Sequence, residues 1–425
     1  MTSVDEARTA HEGVPRRQTA RDPSTRSYAC ALPVVPVRAR GLTVDGADGR
    51  RYLDCLSGAG MLVLGHHHPV VLEAIRKVLD SGVPLQVLGG ATPVEDAFVA
   101  ELTRTLPPAL ARHARVRFCG PSRTDALETA VRLARAATGR TGIRTLEHVP
   151  CEDDDEERAA EAALAATEDR ARLPAGVVVH PVRGDGGMAP APEGWLRRLR
   201  ALTADRAVPL IADESETGVG RSGAFWAVQH SGVSPDVMVL SQAIGGSLPL
   251  AVVVHRDGLE TGEPTARACR VRGNQLAMAA GRATLAHVRE HRLAERAAVL
   301  GSRMLRQLRE LAARFGCVGE VRGRGLMIGV QMTDPEAGAG AEADAGAGTG
   351  SAPAAHGRRA RELAVAVRRE SLRRGLIVDV GGRHENVVRL LPPLTITEEQ
   401  AAAVLDRLAD AVRAVARTPA GGGAT

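Results

Sequence analysis

Two acidic residues at the end of a short apolar run are where chemistry first becomes legible in this chain. Leu210, Ile211 and Ala212 read as a strand, with Asp213-Glu214 at its carboxyl end and a glycine-rich loop beyond. A second apolar run, Val237 to Leu240, ends on Ser241-Gln242. Open α/β sheets build ligand sites at the carboxyl ends of neighbouring strands, and acidic groups beside glycine loops fit that pattern. A strand-end acid also serves simply to cap a neighbouring loop. Upstream, Ser122 precedes a helical pattern with Asp125 three residues on, the spacing of a capping box. An ordinary capped helix gives the same signal. Three adjacent histidines, His66 to His68, invite a metal. Adjacent positions do not converge on one ion in a helix or a strand, so none is expected there.

The elements that must carry these residues follow from length and pattern. At 425 residues the chain is long enough for one large domain with a smaller appendage, or for two to three domains. Residues 1–25 are polar without an apolar stretch and read as a disordered arm, not a secretory signal. No apolar run approaches the roughly 20 residues of a membrane span. The six cysteines are scattered without a CxxC pair, which points to reduced thiols and a cytoplasmic setting. The net charge of +5 is spread among both signs, and only two Trp, two Tyr and four Phe are present. Neither a nucleic-acid surface with stacking platforms nor a membrane partner is expected from that pattern. Lys77 is the only lysine of the chain.

Short alternating runs over residues 27–58 flank Asp45-Gly46 and Asp48-Gly49, which is hairpin chemistry. Val70, Val71, Ala74, Ile75 and Leu79 fall on one face of a helix after the histidines, and residues 95–113 read as a second helix. The helix after Ser122 is expected to bury Leu127, Ala130, Val131, Ala134 and Ala137. Glu152 to Glu157 open a solvent-facing helix with an acidic first turn. Gly176 to Leu202 give a buried strand, a glycine loop and an amphipathic helix. Residues 317–332 read as a strand pair, Asp334 to Gly357 as a flexible Ala/Gly-rich insertion, and 358–374 and 398–416 as helices.

The run from Val208 to Pro249, with Ser241-Gln242-Ala243-Ile244-Gly245-Gly246 at its centre, closely resembles the core of class III aminotransferases, which use pyridoxal phosphate. The Arg26-Ser27-Tyr28 start and the Gly381-to-Leu394 ending resemble the diaminobutyrate–2-oxoglutarate transaminase branch. The resemblance covers about residues 27–415, interrupted at 141–174 and 334–357. It implies a fold-type-I α/β architecture: a large domain with a mixed, mostly parallel sheet and helices on both faces, and a small α+β domain built from the N- and C-terminal segments. The expected divisions are 26–90 and 311–417 for the small domain, 91–310 for the large one, and 418–425 for a loose tail.

The resemblance also assigns roles, and the chain departs from several. Asp213 would meet the pyridine nitrogen of the cofactor. Ser122, Arg123 and Thr124 stand at the helix start that grips the phosphate, with Arg123-Thr124 replacing a small pair; Arg123 either fills that pocket or adds a cationic contact. Glu216 replaces a neutral glutamine, and Arg270 a threonine that reaches the neighbouring subunit's phosphate. His180 stands where glutamate is usual, and residues 141–174 lack the aromatic ring that stacks on the pyridine. Asp185 and Arg389 match a carboxylate–arginine pair that handles dicarboxylate substrates. The decisive position is Gln242, which stands where the family has its Schiff-base lysine. An amide forms no imine and is no useful base near neutral pH, and loss of a general base alone forfeits about 10²–10⁴ in rate.

The expectation is a protein of this fold without transaminase activity: a pseudoenzyme, or a scaffold repurposed for lysine-independent chemistry in small-molecule metabolism. The alternative is an enzyme that holds pyridoxal or pyridoxamine phosphate non-covalently and acts on an amino acid/2-oxo acid pair such as diaminobutyrate/2-oxoglutarate. A transaminase with an unseen compensation is the third reading, and a nucleic-acid or membrane binder the last. A homodimer is expected because such sites borrow loops from the neighbour, with a heterodimer with an active paralogue as the variant.

Overall fold

The computed structural model describes residues 34–87, 91–146, 173–184, 187–260, 273–335 and 352–417, the side chains of 352–356 excepted. In chain order come β1 (Pro36–Arg40), β2 (Thr43–Gly46), β3 (Arg51–Asp54), α1 (Pro69–Asp80), α2 (Pro93–Thr105), α3 (Pro108–Ala111), β4 (Ala114–Phe118), α4 (Arg123–Thr138), β5 (Ile143–Leu146), β6 (Gly176–Val179), β7 (Val182–Arg183), β8 (Ala189–Pro190), α5 (Glu193–Asp205), β9 (Leu210–Asp213), β10 (Val237–Leu240), β11 (Val252–Arg256), α6 (Gln275–Glu290), α7 (Leu293–Ala312), β12 (Val318–Arg324), β13 (Met327–Met332), α8 (Ala352–Arg373), β14 (Leu376–Ile377), β15 (Asp379–Gly381), β16 (Val387–Leu390) and α9 (Glu398–Ala416).

A six-stranded sheet in the order β4-β11-β10-β9-β6-β5 carries the candidate site. β10, β9, β6 and β5 are parallel, while β11 runs antiparallel to both β10 and β4. Parallel strands covered on both faces read as continuous apolar runs. Every residue of Leu210–Ala212 and Val237–Leu240 is accordingly 0% exposed. The core divides about this sheet: Val177, Leu210, Met238 and Val252 face the larger cluster, and Val178, Ile211, Val239 and Val253 pack against α4. A second sheet, β1-β2-β3-β14, pairs N-terminal strands with one from the C-terminal segment. The antiparallel sheet β12-β13-β16-β15 completes the α+β part, and β7 pairs with β8 alone. The mixed, mostly parallel sheet with flanking helices and the α+β portion built from both chain ends are the fold-type-I architecture expected from sequence.

Several local expectations are revised. The second helix ends at Thr105 and restarts at Pro108, because Pro107 and Pro108 supply no amide donors to continue it. On α1 it is Val71 and Val78 that are buried, whereas Leu79 is 52% exposed. α4 buries Ala126, Ala130, Leu133 and Ala134, with Leu127 and Ala137 only partly covered and Val131 half-buried. β5 falls in a stretch where no strand was expected, although Ile143 and Thr145 are β-branched. α8 begins at Ala352, inside the tract read as a flexible insertion. The acidic run Glu152–Glu157 lies outside the described residues. Among the described residues no helix is long and apolar enough to cross a membrane.

The turn Gln242–Gly245 after β10 is pressed onto α6 by two glycines. A Cβ at Gly281 would lie 2.1 Å from the Ile244 carbonyl oxygen, and one at Gly246, where φ is +55°, 2.3 Å from that of Ala280. Backbone therefore meets backbone, with no flexible side chain to yield. Gly281→Ala should cost about 1–3 kcal/mol through overpacking, read as a lower urea midpoint at unchanged slope.

Candidate active site

The register of β9 and β10 sets Asp213 opposite Val239, and the Glu214 amide continues the ladder onto the Val239 carbonyl at 3.0 Å. Asp213 and the Ser241-Gln242 pair therefore stand at adjacent carboxyl ends. The Asp213 side chain is 1% exposed. Its Oδ1 accepts the Ser215 amide at 3.0 Å, the loop-capping role, and its Oδ2 accepts Arg123 Nε at 2.8 Å. His180, just past β6, places Nδ1 3.6 Å from the same Oδ2.

Arg123 is the first residue of α4, where a cation is opposed by the helix dipole. Anionic groups across the strand ends draw it over: besides Asp213, Glu216 Oε1 lies 4.0 Å from Nη1. Glu216 in turn packs on Gly184, where a Cβ would come within 1.7 Å of Oε2. Ser122 and Asp125 form the capping box read from the sequence: Ser122 Oγ accepts the Asp125 amide at 3.1 Å, and Asp125 Oδ2 accepts the Ser122 amide at 3.2 Å. Thr124 is exposed on the first turn.

Gln242 has a left-handed backbone, φ +57°, rare for a side chain with a Cβ and typical of positions held strained by their surroundings. Its Oε1 is buried without a hydrogen-bond partner among the described residues, as are Ser241 Oγ and Ser215 Oγ. Buried polar atoms are normally satisfied, so three orphans at the carboxyl ends of two neighbouring strands mark unfinished polar surface.

Glu214, the other half of the acidic pair, faces elsewhere. Thr217 Oγ1 donates to it, and the Val228 amide donates to Oε1 at 2.8 Å. Burial pushes its carboxyl up to about 7, against those hydrogen bonds. It fixes the glycine loop. The sequence singled out the pair without separating these roles, and it gave no sign that His180 would reach Asp213.

The remaining assignments disperse. Arg389 pairs with Asp379, its cross-strand neighbour, and its Nε is buried without a hydrogen-bond partner among the described residues. Asp185 and Arg270 lie outside the described residues. Of the three histidines, His66 bonds Asp54 at 2.8 Å, His67 is exposed, and His68 tilts against His287 at 4.8 Å, so their rings diverge. Lys77 is 74% exposed on α1 beside Glu73.

With this geometry in place, comparison with known proteins is specific. The Aminotransferase class-III family profile matches residues 25–148 and 143–412. The chain is 41% identical over 449 residues to the diaminobutyrate–2-oxoglutarate aminotransferase of Rhizobium meliloti (strain 1021), covering 95% of this chain and 93% of the relative. Against the enzyme of the same name from Haemophilus influenzae (strain ATCC 51907 / DSM 11121 / KW20 / Rd) it is 33% identical over 93% of this chain and 94% of that one. Among solved structures it resembles an amine transaminase from an uncultivated Pseudomonas species in its PLP-bound internal aldimine form. The TM-score is 0.77 at 27% identity, covering 90% of this chain and 95% of that one. A matched family profile over most of the length, with relatives 41% and 33% identical over nearly the whole chain, establishes that the chain belongs to the class III aminotransferase family.

Proposed function

We propose that this chain is an aminotransferase-fold protein that makes no Schiff base and does not transaminate, a pseudoenzyme or a scaffold turned to lysine-independent chemistry on small metabolites. The observation that carries the reading is Gln242, an amide in the turn after β10 where the family resemblance implies an amine, in a chain whose single lysine is exposed on α1. Class III aminotransferases use pyridoxal phosphate, and the residues present do not fit its tethered form. Gln242 has no nucleophilic amine, and the Asp213 carboxylate that would meet the ring nitrogen already holds Arg123 at 2.8 Å. The same reading expects a homodimer, or a heterodimer with an active paralogue.

The names of the relatives, together with the orphaned Gln242 oxygen, favour a second reading. In it the cleft holds pyridoxal or pyridoxamine phosphate non-covalently and receives an amino acid/2-oxo acid pair such as diaminobutyrate and 2-oxoglutarate. Ser122, Arg123, Thr124, Asp213 and Glu216 would border the ligand, with Arg270 reaching across from a second subunit.

Both readings share one expected result. Protein incubated with pyridoxal phosphate, reduced with borohydride and digested should show no adduct in the peptide bearing residue 242, whereas Gln242→Lys should show one. A coloured, protein-bound coenzyme that passes nitrogen from diaminobutyrate to 2-oxoglutarate in the unaltered protein would end the proposal.

A further inference from the structure

Arg123 and Asp213 form a close ion pair at the strand ends. We propose that Arg123 is a latch on Asp213: its guanidinium occupies the carboxylate that an aromatic ring bearing an N–H would need, so such a ligand enters only by displacing it. The inference deepens the reading above, on which it rests for placing a ligand at the strand ends.

Both oxygens of Asp213 are in use, Oδ1 by the Ser215 amide and Oδ2 by Arg123 Nε, and the side chain is 1% exposed. A carboxylate so buried needs a cationic or N–H partner, and losing that partner is costly. Asp213 itself is held in place, its backbone paired with β10 and its buried Oδ1 bound by the Ser215 amide. Arg123 differs: its side chain is 32% exposed and rides on a long arm at a helix start, where the dipole works against it. The movable partner is the arginine. A phosphate clamp would face its guanidinium toward an anion at the helix start. Here it lies across the strand ends, with Nε on Asp213 and Nη1 4.0 Å from Glu216. Two carboxylates favour the closed position. When the arginine leaves, His180 at 3.6 Å is the neighbouring side chain left to answer the charge. A ring N–H is the chemistry that restores what is lost.

The sign of one substitution tests this. Calorimetry with pyridoxamine phosphate and with pyridoxamine, on the full chain and on Arg123→Ala, should show about tenfold or more tighter binding to the variant for both compounds, the guanidinium no longer competing for a buried carboxylate. Arg123→Lys should lie between, and it serves as the measurement if the alanine variant melts early. Adding Asp213→Asn to Arg123→Ala should erase the gain. Weaker binding of the phosphorylated compound alone would make Arg123 a clamp and overturn the latch. So would equal affinities, no heat with Arg123→Ala, or a gain that survives Asp213→Asn. The adduct at residue 242 is read separately, so failure of the latch is distinguishable from failure of the lysine-independent reading.

Discussion

Replacing Asp236 by alanine should lower the unfolding free energy by about 3–5 kcal/mol. Asp236 precedes β10 and is 3% exposed. Its Oδ2 accepts Arg200 Nη1 at 2.6 Å and the Leu210 amide at 2.8 Å. Its Oδ1 accepts Arg200 Nη2 at 3.1 Å and lies 3.2 Å from Arg256 Nη1. One carboxylate thus ties α5 to the starts of β9 and β10 and the end of β11, at the strand ends opposite the cleft. Alanine leaves a half-buried guanidinium and a buried amide without their acceptor, which is why the cost exceeds that of a surface pair. Breaking Arg303–Glu398, whose glutamate is 72% exposed, should cost under about 1 kcal/mol. Urea unfolding of the two variants checks the contrast. A loss below about 1 kcal/mol for Asp236→Ala would show that these strand ends relax around the deletion.

Glu214 should make the protein less stable as pH rises from about 4.5 to 7. Its carboxyl is raised from 4.5 to about 7 in the fold by burial, so across that window the folded chain holds a proton that the unfolded chain has released. Stability from this group is complete below the unfolded value and falls as pH climbs, levelling once the folded carboxyl has ionised. The swing is about 3 kcal/mol in all. Glu214→Gln keeps the amide and hydroxyl donors of Val228 and Thr217 near an acceptor and removes the titration. Its melting temperature should therefore lose this component of the pH 4.5–7 slope, checked by melts at matched ionic strength. An unchanged slope in the variant would place the proton elsewhere.

The strands of the site were legible because burial on both faces demands continuous apolar runs, and Leu210–Ala212 and Val237–Leu240 are such runs. Ser122 with Asp125 was legible because a capping box is a three-residue affair. α9 shows the same on Thr397 and Gln400, whose reciprocal bonds are 3.2 and 3.0 Å. The buried face of α4 was misjudged by one position, since Ala126 and Leu133 are chosen by the sheet they pack against. Leu79 was misjudged for a related reason: an apolar residue on the expected face has no obligation to be covered.

The sequence alone determined the family, the α/β order and the presence of an amide at residue 242, because each rests on residue type and spacing along the chain. It could not determine who holds Asp213. Arg123 and Asp213 are 90 residues apart, as Arg389 and its partner Asp379 are joined by strand pairing and not by motif. Which charge meets which is decided where burial removes water and leaves a carboxylate only the neighbours the fold brings to it, and that selection exists only in three dimensions.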